Sequence, residues 1–355
     1  MSNTFSWEKN VRKVVPYTPG EQPKDKDIVK LNTNENPYPP SEKVIKAIKN
    51  AANEDLKLYP DPTCSDLIKE ISAYYDVNND EVFIGNGSDE ILAFIFMTYF
   101  EKGKTVLFPD ISYTFYKVYA ELFKLDYEMV KLDDDFNIPL DELKKKNGGV
   151  ILPNPNAPTG KFINPSQLKK VVEANKDSVV IIDEAYVDFG GESMVPLTKE
   201  YPNLLVVQTF SKSRALAGLR VGFAIGNKEL IEGLNRIKNS MNSYTIDRIA
   251  LAGAKAAIED ETYFKKITKS IIETREIYTV KMEELGFKVL ESKSNFIFVK
   301  HKELKGEYIY KKLKEKGVLV RYFGKERIED YLRITIGTSK EMEKLIEKLK
   351  EIINE

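Results

Sequence analysis

The 355-residue sequence predicts an α/β protein, a large domain on a mostly parallel sheet followed by a smaller α+β domain. Three observations carry that prediction. The length exceeds what a single compact core serves well, so one large and one smaller domain are expected. From about residue 41 to 240, short apolar runs alternate with helical patterns. Those runs are near-continuous Val, Ile and Leu, which marks strands covered on both faces. Beyond about residue 245 the texture changes to a long Lys/Glu-rich helical stretch and then to shorter mixed strands.

Taken in order, the first forty residues are rich in Pro, Asn and Tyr and read as an extended arm with no core of its own. The expected strands of the large domain are "VFIG" (82–85), "TVLF" (105–108), "GVILP" (149–153), "VVIID" (179–183), "LLVVQT" (204–209) and "VGFAIG" (221–226). Between them, Ser88 is expected to cap the helix "DEILAFIFMTYF", and Asn164-Pro165 supplies a cap and a first-turn proline before "SQLKKVVEAN". Helix continues to about Glu284, and "FKVL", "NFIFVK", "VLVRYF" and "YLRITIG" follow as strands. The last helix opens on a capping box, Thr338 with Glu341, and carries Met342, Leu345, Ile346, Leu349, Ile352 and Ile353 on one face. The expected division is an arm over 1–40 that packs with the small domain or a partner subunit, a large domain over 41–240 and a small domain over 241–355.

Composition narrows the function classes. A net charge of −1 gives no footing for a nucleic-acid or acidic-membrane partner. The longest apolar run, Ile91 to Phe100, is too short to span a bilayer, and "MSNTFSWEKN" lacks the pattern of a secretion signal. A single cysteine, Cys64, excludes an intrachain disulfide and fits a reducing compartment, so a cytoplasmic location is expected. The one histidine, His301, leaves no multi-histidine metal site, and no metal is expected. Following "NFIFVK" among lysines, it is expected in a solvated loop.

Several stretches bear on chemistry. "FIGNGSDE" joins a strand to a helix, with Gly85 and Gly87 for a tight turn and the amides of Gly87, Ser88 and Asp89 aimed at an anion. It is neither a Walker loop nor a complete dinucleotide fingerprint. Tyr113 follows a strand and offers a ring to stack on a planar group. "LPNPNAPTGK" ends another strand in a turn with asparagine amides to spare. Asp183 ends an apolar strand, where a free carboxylate is costly without a partner. Lys212 follows the next strand between Ser211 and Ser213, and Arg220 precedes another. Ligands of open α/β sheets bind at such strand ends. A pyridoxal phosphate site needs a Schiff-base lysine, a carboxylate for the pyridine nitrogen, donors for the ring oxygen, an aromatic cover and a phosphate cradle. The chain offers each once, in a workable order.

With those residues in view, the sequence resembles the fold-type I pyridoxal-phosphate aminotransferases, and most narrowly their histidinol-phosphate branch. The resemblance runs through "PYTPGEQP" (16–23), "LNTNENPYPPS" (31–41), "LYPDP" (58–62), "GNGSDE" (85–90), "PNPNAPTG" (153–160), "IIDEAYVDF" (181–189), "TFSKSRALAGLRVGF" (209–223) and "YLRITIGT" (331–338). It implies a seven-stranded, mostly parallel mixed sheet flanked by helices. It also implies transamination between histidinol phosphate and 2-oxoglutarate, with pyridoxal 5′-phosphate as cofactor. In that scheme Lys212 holds the cofactor aldehyde and shuttles a proton, and Asp183 pairs with the ring nitrogen. Tyr186 and Asn156 serve the ring oxygen and Tyr113 covers the ring. Gly87, Ser88, Asp89, Ser211, Ser213 and Arg220 hold the phosphate. Tyr59 is expected to reach the site of a second subunit, which makes the protein a homodimer with shared sites. Arg333, assisted by Arg321, takes the substrate's carboxylate or phosphate, and Tyr17 and Asn36 line the substrate end. The loop departs from the family pattern at Ala157, before Pro158, so either Asn156 or Asn154 could serve the ring. Transaminases of aromatic amino acids, decarboxylases of threonine phosphate and a non-catalytic cofactor-binding sensor share much of this apparatus.

Overall fold

The computed structural model describes residues 7–24 and 27–355. Residues 1–6 and 25–26 of the expected arm, and with them most of the stretch read for a secretion signal, lie outside the described residues. In chain order the regular elements begin with β1 (Val29–Leu31), α1 (Glu42–Ala51), α2 (Ser65–Tyr75), β2 (Val82–Gly85) and α3 (Gly87–Thr98). Next come β3 (Val106–Pro109), α4 (Phe115–Phe123), β4 (Tyr127–Val130), β5 (Gly149–Pro153), α5 (Pro165–Ala174) and β6 (Val180–Asp183). They continue through β7 (Leu204–Thr209), β8 (Gly222–Gly226), α6 (Lys228–Met241), α7 (Arg248–Glu259) and α8 (Glu261–Glu284). The chain closes with β9 (Phe287–Val289), β10 (Phe296–His301), α9 (Gly306–Glu315), β11 (Val318–Tyr322), β12 (Leu332–Thr335) and α10 (Ser339–Ile353).

Seven strands form the large sheet in the order β2-β8-β7-β6-β5-β3-β4. All neighbours are parallel except β8, which runs against both β2 and β7. Successive side chains on a strand point to opposite faces, and here both faces are buried. Val150, Leu152, Val180, Ile182, Leu204 and Val206 pack on one side, and Ile151, Ile181, Leu205 and Val207 on the other. That is why these strands read as unbroken apolar runs. The exception is β4, which the periodicity passes over: at the sheet edge, its Glu128 and Met129 are exposed.

A second sheet, ordered β1-β11-β12-β10-β9, collects the chain's end. Its core includes Leu31, Ile297, Val299, Val320, Ile334 and the inner face of α10, where Met342, Leu345, Ile346, Leu349 and Ile352 are buried and Ile353 partly so. The Thr338–Glu341 capping box closes the start of α10 as expected. Within the arm, β1 pairs with β11 and buries Val29 and Leu31 in this core. Helix α7 packs Ala250, Ala254, Ala257 and Ile258 into the core of the large sheet. We therefore draw the domain boundary after α7 rather than at residue 240.

Three local expectations change. Helix α3 starts at Gly87, after Asn86, so Ser88 is its second residue and not its cap. Asn164 does precede α5, with Pro165 first in the helix, but its side chain makes no capping bond. His301 is buried at the end of β10 rather than solvated. Its Nδ1 accepts the amides of Glu303 and Leu304 at 3.2 and 3.0 Å, and its ring packs on Phe287, so it ties down the turn after the strand.

Candidate active site

Register brings the expected residues to one rim of the large sheet. Pro153, Asp183 and Val207 are neighbours across β5, β6 and β7, while Thr209 and Gly85 flank Gly222 of β8. Because β8 is antiparallel, its first residues meet the carboxyl ends of its neighbours. Twelve residues, Phe210 to Val221, link β7 to β8 and carry both Lys212 and Arg220.

Lys212 is half-buried, and its Nζ donates to the carbonyl of Thr33 at 3.2 Å. Burial and the positive charge of Arg333 lower its pKa to about 8, against the pull of Glu35 and Asp89. Such an amine keeps a far larger neutral fraction near physiological pH than an ordinary lysine, and the neutral form can attack an aldehyde. Asp183 is 4 % exposed, and burial raises its pKa to about 6. The Tyr116 hydroxyl, 2.9 Å from Oδ2, and the Ala185 amide, 3.2 Å from Oδ1, oppose that rise. Tyr186 accepts an amide hydrogen of Asn34 at 2.9 Å, which leaves its own hydroxyl hydrogen free for a ligand.

The anion cradle is assembled from four segments. Gly87 has φ +76°, and a Cβ there would lie 2.6 Å from Arg220 Nη2. A Cβ on Gly222 would come within 2.7 Å of the Gly87 carbonyl carbon and the Ser88 nitrogen. Both glycines thus let the start of α3, with its unpaired first-turn amides, close on β8. Arg220 reaches Ser211 Oγ at 3.3 Å and Asp89 at 3.1 Å. The Ser211 hydroxyl in turn accepts from Thr209 at 3.0 Å. The Asp89 carboxylate also accepts from the Tyr113 hydroxyl at 2.6 Å, so this acid orients Arg220 and Tyr113, leaving its backbone amide for an anion.

Two expected ligands point elsewhere. Ser213 donates its hydroxyl to the half-buried Asp188 carboxylate, not to the cradle. The reason is a turn: Ala215 has φ +57° and its amide bonds Lys212 O, which swings Ser213 away from Ser211. Asn36 donates to the carbonyls of Lys212 and Ser213 at 2.9 and 3.2 Å, and its oxygen accepts from the Tyr38 amide at 3.0 Å. It braces the lysine segment and does not line the substrate end.

The two loop asparagines differ in what they leave free. Asn154 makes a two-way pair with the Ile163 backbone, at 2.9 and 2.8 Å, and is fully used. Asn156 donates to Ile111 O and Thr159 Oγ1, both at 3.0 Å, while its buried Oδ1 has no hydrogen-bond partner among the described residues. The free atom is an acceptor, so it suits a ring oxygen that carries its proton.

At the far side of the site Arg333 and Arg321 face each other across β11 and β12 as direct register partners. Arg333 donates to Asn32 O at 2.9 Å and lies between the rings of Phe296 and Phe323, and its buried Nε has no hydrogen-bond partner among the described residues. Arg321 donates to Thr18 O at 3.2 Å. Tyr17 stacks on Phe115 at 4.5 Å and sits 6.3 Å from Tyr113, closing the rim from the arm. Tyr59 lies outside this constellation: it is 77 % exposed and stacks on Tyr244.

The residues present fit pyridoxal phosphate. Among the described residues a buried acceptor and a buried donor lack partners, a glycine cradle faces an arginine, and a lysine of lowered pKa shares the rim with a buried carboxylate. Sequence reading missed Tyr116 and Asn34. Tyr116 was within reach, since Tyr113, Tyr116 and Tyr119 recur at the three-residue spacing of one helix face. Asn34 carried no local signal. It sits at φ +56° and exchanges bonds with Thr335 and Asn295, which lie more than 250 residues away.

The fold and this set of groups define a group-transferring enzyme of the vitamin B6 type. The pattern "Aminotransferase class I and II" matches residues 26–349, and the chain belongs to that family. It is 68 % identical over 348 residues to the histidinol-phosphate aminotransferase of Clostridium beijerinckii, covering 98 % of this chain and 97 % of the relative. It is 58 % identical to that of Clostridium acetobutylicum, covering 98 % and 99 %. The crystal structure of histidinol-phosphate aminotransferase from Sinorhizobium meliloti in complex with pyridoxal-5′-phosphate superposes with a TM-score of 0.84 at 25 % identity, covering 92 % of this chain and 90 % of that one.

Proposed function

We propose that the chain transfers the amino group of L-histidinol phosphate to 2-oxoglutarate, giving imidazole-acetol phosphate and L-glutamate in histidine biosynthesis, with pyridoxal 5′-phosphate as cofactor. The observation that carries the reading is the Arg321–Arg333 register pair. Like charges placed directly opposite on neighbouring strands are destabilising, and an anion between them relieves the cost. A phosphate in one half-reaction and a carboxylate in the other meet that need, so two substrates use one site in turn.

The bound cofactor supplies an electron sink for the pair left when the substrate Cα–H bond breaks. The chain supplies the rest. With the cofactor bound, Lys212 Nζ would hold its aldehyde carbon and, once displaced from it by the substrate's amine, would be free to take up the Cα proton and give it back as general base and acid. Asp183 holds positive charge on the ring nitrogen. Tyr186 and Asn156 serve the ring oxygen, and Tyr113 covers the ring. Arg220, Ser211 and the amides of Gly87, Ser88 and Asp89 grip the phosphate. Arg333 and Arg321 orient the substrate's anionic end, and Tyr17 shields it from water.

A panel of acceptors tests the assignment. With glutamate as donor, imidazole-acetol phosphate should be aminated with a higher kcat/KM than any aromatic keto acid. Preference for the aromatic acids, or release of carbon dioxide from threonine phosphate, would overturn it.

The proposed assembly is a homodimer in which Tyr59 completes the partner's phosphate site. Its support is the exposure of Leu56, Leu58, Tyr59, Met241 and Tyr244, of which Tyr59 and Tyr244 stack on each other, on a chain whose other large apolar side chains are mostly buried. Tyr59→Phe should weaken cofactor affinity by about fivefold, the worth of one hydrogen bond. Co-assembly of Tyr59→Phe with Lys212→Ala subunits should then restore one intact site per hybrid. No restoration would mean that Tyr59 acts within its own chain or not at all. The proposed compartment is the cytoplasm, supported by the lone buried thiol of Cys64. Among the described residues no helix is long and apolar enough to cross a membrane.

A further inference from the structure

Tyr116 occupies the first turn of α4 and is fully buried. Its ring meets Phe108 and Tyr113 edge-on, at 6.1 and 5.7 Å between centroids. Packing alone asks only for a phenyl ring here. The hydroxyl instead lies 2.9 Å from Asp183 Oδ2. Burial and the neighbouring carboxylate hold the phenol well above its usual pKa, so it is the donor in this pair.

The surroundings of Asp183 show what that donor contributes. Asp89 faces it from α3 and disfavours its charge, while Lys212 faces it from the segment after β7 and favours it. Tyr186 and the Ala185 amide belong to its own segment, and only the amide bonds the carboxylate. The Asp89 charge is partly met by Arg220 and Tyr113. Among the described side chains, Tyr116 alone donates a hydrogen bond to Asp183.

We propose that Tyr116 is a positioning residue that keeps Asp183 ionised and aimed at the cofactor's ring nitrogen, and so sets the lower pH limit at which the site grips its cofactor. The proposal rests on the assignment of Asp183 made above. Without the phenol, Asp183 gains its proton at higher pH. Below that point the site must expel a proton before it can pair with a cationic ring nitrogen, so affinity falls with acidity.

The test uses 4′-deoxypyridoxine phosphate, which keeps the ring nitrogen and phosphate but has no aldehyde, so titration of Lys212 through covalent bonding does not enter. Its dissociation constant is measured by equilibrium dialysis from pH 5 to 9 on the cofactor-free full-length protein. The probe's own phosphate titrates alike in every variant, so the difference between profiles is what counts. Tyr116→Phe should match wild type within about threefold at pH 8 and bind about tenfold more weakly at pH 5.5. The acid limb should move up by about one pH unit, as expected for loss of one hydrogen bond to a charged group. Tyr116→Met, a second variant of similar bulk, should show the same displacement if Tyr116→Phe folds poorly. In an Asp183→Asn background, Tyr116→Phe should produce no displacement at all. Superimposable profiles, or a loss uniform across pH, would overturn the proposal and leave Tyr116 a packing residue. If Asp183→Asn itself leaves both affinity and profile unchanged, the assignment of Asp183 fails instead.

Discussion

Lys212→Ala should fold normally and lose turnover by about 10⁴-fold or more, since both a covalent handle and a general base disappear, the latter alone contributing about 10²–10⁴. Rapid-quench measurement of the glutamate half-reaction is the direct readout, and borohydride treatment should no longer fix cofactor to the chain. The stability consequence has a definite sign. The folded-state pKa of Lys212, about 8, lies below the ordinary value of 10.5. Between those values the unfolded chain binds more protons, so wild-type stability rises with pH across that window. Below about pH 8 the full penalty of holding the amine in its pocket is present. Melting temperature of the cofactor-free alanine variant should therefore equal or exceed that of wild type at pH 7, with the gap closing as pH approaches 10.5. Turnover within tenfold of wild type would remove Lys212 from the mechanism.

Asp183→Asn should slow Cα–H cleavage by about 10²–10⁴-fold, the range expected when a buried charge loses its partner. Washout of deuterium from Cα-labelled glutamate isolates that step from product release. Here the linkage sign is opposite to that of an ordinary acid. Burial lifts Asp183 from 3.8 to about 6, so between those values the folded state holds the extra proton and stability falls as pH rises. The cofactor-free asparagine variant should therefore be at least as stable as wild type at pH 7, with the two converging below pH 4. A near-normal washout rate would show that the ring nitrogen is served by another group.

Much of this architecture was legible because burial on both faces leaves a strong mark in sequence. Val150 to Leu152 and Leu204 to Val207 have no exposed position, so their apolar runs could be read directly. Lys212, Asp183 and Arg220 were legible for a different reason, since ionisable groups at the ends of such strands require partners. Edge strand β4 was not, because its exposed residues break the run. Side-chain direction was the harder matter. Ser211 and Ser213 flank the same lysine, yet the turn at Ala215 sends one to the cradle and the other to Asp188. Asn36 faces a backbone segment 176 residues away. The order of residues does not encode which polar atom such a distant segment will claim.

The reversed direction of β8 has a consequence for how this centre tolerates change. A strand there running with its neighbours would need a long crossover and would deliver Arg220 to the opposite end of the sheet, about 15 Å off for a five-residue strand. The hairpin instead hands over amine and guanidinium in one short length of chain. Insertions or deletions between them would displace the Lys212 amine and the Arg220 guanidinium together.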